Sequence, residues 1–73
     1  MDYRTIALSS IDGHIKAMQK FSKCKQDART FHDMAGGQIC LMKIFDLITD
    51  KEKEKLLNKI ADAYEETISM LYS

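Results

Sequence analysis

The sequence predicts an all-α protein, a small helical bundle built on an antiparallel C-terminal helical hairpin and completed by dimerisation. Three observations point there. The chain has no proline and three glycines, and it is rich in Leu, Ile, Met, Ala, Lys and Glu, a mixture that favours helices. Its last third repeats apolar residues at helical spacing. A single alternating stretch, Tyr3 to Leu8, could suit a strand, but no second one exists to pair with it.

At 73 residues the chain is one domain, close to the size at which a single core is barely sufficient. Two cysteines cannot build a disulfide framework, so self-association is the expected source of further support.

In chain order, residues 1–9 are expected as an N-terminal arm, with an early start of the first helix as the alternative. Ser9 and Ser10 can each cap a helix whose first turn holds Asp12. The first helical region then runs over about 10–32, with Ile11, Ile15 and Met18 on one face. Its far end admits two readings. The chain turns within Ser22 to Asp27, giving three helices, or it continues to about His32 and breaks at Gly36-Gly37. Two adjacent glycines cost about 2 kcal/mol of helix propensity relative to alanine, so a turn or kink is expected beside them.

The most apolar segment, Ile39 to Ile48, interrupted only by Lys43 and Asp46, forms the core of a central helix over about 38–48. A helix apolar nearly all round must be covered nearly all round. Thr49-Asp50-Lys51-Glu52 is a capping box that starts the last helix, about 50–72. At about 100° per residue, Leu57, Ile60, Ala61, Tyr64, Ile68 and Leu71 form its core-facing stripe, and Leu56, Ala63 and Met70 form a second line beside it. The short connection makes the last two helices a hairpin. In layout, Gln38 to about Glu66 resembles the helical hairpins that pair into antiparallel four-helix bundles of the Rop type; no binding residue carries over.

The formal net charge of zero argues against a strongly electrostatic nucleic-acid binder. Its distribution is uneven. Residues 1–31 carry +3 and residues 32–73 carry −3. Lys16, Lys20, Lys23, Lys25 and Arg29 make a basic stripe on the first helical region, a solvated face by default and a phosphate-contacting surface in the alternative.

No enzyme is expected. The chain has no nucleophile elbow and no phosphate-binding glycine loop, and the carboxylates Asp62, Glu65 and Glu66 lie on a wet face. His14, Cys24, His32 and Cys40 are the donor types of a zinc site, but their spacing matches no zinc-finger pattern, so neither a metal nor a cofactor is expected. With no signal peptide and no apolar run long enough to span a bilayer, a cytosolic location and no membrane partner are expected. Cys24 and Cys40 then read as reduced thiols, buried or half-buried.

The function expected is non-enzymatic: a small regulator or adaptor, homodimeric, binding another protein through a helical apolar face. Met42, Leu56, Ala63 and Met70 are its expected interface. The alternative is a dimeric nucleic-acid-binding regulator that uses the basic stripe.

Overall fold

Asp2 opens the first helix. Its carboxylate accepts the Arg4 amide at 3.0 Å and the Thr5 hydroxyl at 2.6 Å, satisfying donors that a first turn leaves free. The segment expected as an arm is therefore helical from Tyr3 onward, and Ser9 and Ser10 lie inside the helix. The computed structural model describes residues 2–72; Met1 and Ser73 lie outside them. Those residues form α1 (Tyr3–Phe21), α2 (Lys25–Ile44) and α3 (Asp50–Leu71), an all-helical bundle with no strand among the described residues.

The chain breaks at Ser22 to Cys24 and passes straight through the glycine pair, so the expected turn at Gly36-Gly37 is corrected. Ser22 and Cys24 are both extended, and Asp27 accepts the Lys23 amide at 3.0 Å, which anchors the entry to α2. At the other end α2 stops at Ile44, four residues short of the expected limit. Asp46 adopts φ 57°, its amide reaches the Lys43 carbonyl at 3.1 Å, and the Leu47 amide reaches the Met42 carbonyl at 2.8 Å. Together these form a Schellman closure, with aspartate where glycine is usual. Asp46→Gly is expected to stabilise the fold by about 1 kcal/mol, because it relieves the left-handed strain and removes an anion from a helix C-terminus. A lower urea midpoint in that variant would contradict this account of the turn.

The predicted capping box is present. Thr49 Oγ1 accepts the Glu52 amide, and the Glu52 carboxylate accepts the Thr49 amide, each at 3.1 Å.

The helix α2 packs against both neighbours through Ala28, Ala35, Ile39 and Met42. Ile11, Ile15 and Met18 come from α1, Ile60 and Ala63 from α3, and Ile48 from the connection. The two alanines let helices approach closely on either side, while Ile39 and Ile60 fill the space between. The face α3 presents is turned from the expected stripe toward its second line. Ile60, Ala63 and Thr67 are buried and Ala61 is exposed. Thr67 tolerates burial because its hydroxyl donates to the Ala63 carbonyl at 2.8 Å.

Candidate functional site

Two ion pairs join α1 to α3. The Arg4 guanidinium donates to the Glu52 carboxylate, and Lys59 Nζ lies 2.8 Å from Asp12 Oδ1. The Thr49 amide, and after it the Arg4 side chain, hold the Glu52 carboxyl below the ordinary glutamate value of 4.5. Asp2 is held below the usual aspartate value of 3.8, first by the Thr5 hydroxyl. A depressed carboxyl contributes stability that is present above its unfolded value and is lost as pH falls through its folded one. Below about pH 4.5 the thermal midpoint should therefore fall, and Glu52→Gln should flatten that fall. An unchanged pH profile in Glu52→Gln would remove Glu52 from this role.

With α1 starting at Tyr3, its first two turns reach the C-terminal part of α2. Between them lies a groove of about 270 Å³. Tyr3, Ile6 and Ala7 wall it from α1, Gln38, Leu41 and Met42 from α2, and Phe45 and Leu47 from the turn beyond α2. No lining residue carries a charge. Tyr3, Ile6, Leu41 and Phe45 are large and largely exposed, which leaves contiguous apolar surface of the kind that marks an interaction site. Gln38 Oε1 is cut off from water and has no hydrogen-bond partner.

This face differs from the expected one. Ala63 is a core residue, and Met42, also a core residue, shows only a sliver of surface at the floor of the groove. Leu56 packs against the core and shares a shallow depression with Leu8 of α1. Met70 remains 68% exposed, apart from the others. Of the expected seam, then, Met42 and Ala63 are buried, Leu56 is half-buried and Met70 is exposed, so burial within the chain removes the first two from it. Leu41 and Phe45 carried the missed signal: they belong to a segment too apolar for its surroundings. What hid the groove was the arm assigned to residues 1–9, which removed its other wall. Asp2 with Thr5 three residues on was the cue for a helix there.

The five basic residues are divided between α1, the connection after it and the start of α2. Lys25 and Arg29 border a groove of about 500 Å³ with Tyr64, Glu65, Ile68 and Ser69, and Lys16, Lys20 and Lys23 are not among its walls. Among the described residues, Lys16, Lys20, Lys23 and Lys25 enter no ion pair, and Arg29 lies 4.0 Å from Asp33. Lys20 Nζ sits 5.3 Å from the ring centroid of Phe21, itself exposed.

Cys24 and Cys40 are both free and both exposed, which corrects their expected burial. His32 packs its ring 5.2 Å from that of Tyr64, and its Nδ1 lies 3.1 Å from Asp33 Oδ1. Among the described residues, no three His, Cys, Asp or Glu side chains gather in a way that could hold a metal ion, and no helix is long and apolar enough to cross a membrane. Comparison with protein-family models, with curated proteins and with solved structures finds no match to this chain.

Proposed function

We propose that this chain is a non-enzymatic regulator or adaptor that docks a protein partner into the apolar groove between the start of α1 and the end of α2. The observation that carries the reading is the uncharged wall of Tyr3, Ile6, Leu41 and Phe45, four large apolar side chains that line one groove and stay exposed. Such a groove suits an amphipathic helix laid along it with its apolar side inward. The frame beneath it is an antiparallel α2–α3 hairpin. Its support is the pairing of Lys43 with Asp50, of Gly36 with Ile60 and of His32 with Tyr64. A cytosolic setting accords with two free, exposed thiols.

A second reading, nucleic-acid binding, draws on the lysines of α1 that lack acidic partners and on the exposed Phe21 beside Lys20. Weighing against it are the zero net charge and the Glu65 carboxylate beside Lys25 and Arg29.

Cross-linked capture from the cells that encode the chain separates the two. Leu41→Glu is expected to lose the captured protein, while Lys16→Glu, Lys20→Glu and Lys23→Glu combined keep it. The reverse pattern, with binding that weakens steeply as salt rises, would transfer the function to the basic surface.

A further inference from the structure

Resting on that reading of the groove, we infer that its occupant is a second copy of this chain. The two copies are related by a two-fold axis, and each copy's Tyr3 enters the other's groove to donate its hydroxyl to Gln38 Oε1.

Three observations lead to a second copy. A two-fold axis sets the same surface against itself, so residues near the axis meet their own copies, and this groove has no charged residue to be repelled there. The size fits as well. Met34 lies seven residues before Leu41 and Ile44 three after it, on the same side of α2. Together with Tyr3, Ile6, Leu41 and Phe45 they expose on the order of 700 Å², close to the roughly 800 Å² per partner of a standard interface. Third, the face carries both halves of an unmade hydrogen bond. Gln38 Oε1 is an acceptor shielded from water, and the Tyr3 hydroxyl, on a side chain 72% exposed, donates to nothing among the described residues.

Within one chain the two groups line the same groove, yet no hydrogen bond joins them. A partner's ring crossing the axis enters from above. The glutamine amide turns about its terminal torsion, which has a broad energy well, and meets it. Burying the ring removes a large apolar surface from water, and the hydroxyl satisfies the acceptor that the closed groove would otherwise strand. The arrangement is isologous, so one pairing occurs twice in each dimer.

Sedimentation equilibrium of the full chain across micromolar concentrations tests this, with helical circular dichroism as the check on folding. The wild type should dimerise, and Leu41→Glu should be a folded monomer. Tyr3→Phe, a change too small to disturb folding, should raise the dimer Kd about tenfold in the wild-type background. In a Gln38→Leu background, where no acceptor waits, it should change Kd little. A wild type that stays monomeric, or a dimer indifferent to Leu41→Glu, would overturn the self-pairing. Equal losses from Tyr3→Phe in both backgrounds would overturn the Tyr3–Gln38 bond. A monomeric wild type whose Leu41→Glu variant still loses a captured protein would sink the self-pairing alone, leaving the groove to a different partner.

Discussion

Ile39→Ala should cost about 3 kcal/mol, and Ile44→Ala less than about 0.5 kcal/mol. Both residues belong to the most apolar stretch of the chain, both are isoleucine, and both lie on α2. Their surroundings differ completely. Ile39 is 0% exposed, between α1 and α3, whereas Ile44 is 71% exposed at the end of α2. Truncating Ile39 removes the transfer energy of three carbons and leaves a cavity that two packed helices cannot easily close. Truncating Ile44 leaves no cavity in the isolated chain. A domain of this size has a total stability of about 4–11 kcal/mol, so the first change removes a large part of it. Urea unfolding followed by circular dichroism reads both, with the midpoint shifting at an unchanged slope. Similar costs at the two positions would mean that α2 does not turn Ile39 to the core. On the proposed self-pairing, an added loss at Ile44 at concentrations well above the dimer Kd would report the interface.

The next largest effect has the opposite sign. Gly13→Ala and Gly37→Ala combined should stabilise the protein by about 2 kcal/mol. Each glycine lies inside a helix, neither has a positive φ, and a Cβ built at either one meets nothing within 4 Å. Alanine therefore keeps the helical conformation while narrowing the freedom of the unfolded chain. In a domain of this length each kcal/mol raises the thermal midpoint by about 4–8 °C, so the double variant should melt roughly 10 °C higher. At Gly36 an added Cβ would meet Ile60 Cδ1 at 3.7 Å, ordinary van der Waals contact, so alanine there is tolerated too. A Gly37→Ala variant that melted lower would show that the chain does bend at the glycine pair.

Much of the architecture was readable from local chemistry. The Thr49–Glu52 box involves residues three apart and needs nothing from the rest of the molecule, so it forms where its sequence pattern lies. The Ile11, Ile15 and Met18 face is equally local and equally buried. Errors arose where two local signals competed. Ser9 and Ser10 looked like caps, yet Asp2 starts the helix earlier, and the glycines looked like a break, yet their cost is offset by the packing of Ala28, Ala35 and Ile39 on both neighbours. Asp46 hid the true end of α2, because a left-handed aspartate closes the helix without the usual glycine.

The site was half legible. An excess of apolar surface around Leu41 and Phe45 can be deduced from composition and periodicity, but its location cannot. Helical phase tells which residues share a side; it does not tell which side a neighbour will cover.

By itself, the sequence determined that the chain is helical, where its last helix begins, and that it carries more apolar surface than a bundle of this length readily hides. These properties are set by interactions within a turn or two of chain. Only the tertiary structure decided that Ala63 and Met42 lie inside while Tyr3, Ile6, Leu41 and Phe45 stay exposed. The physical reason is that burial depends on which helix reaches which face, and that is settled by packing between residues far apart in the chain, such as Ile11, Ile39 and Ile60 in one core.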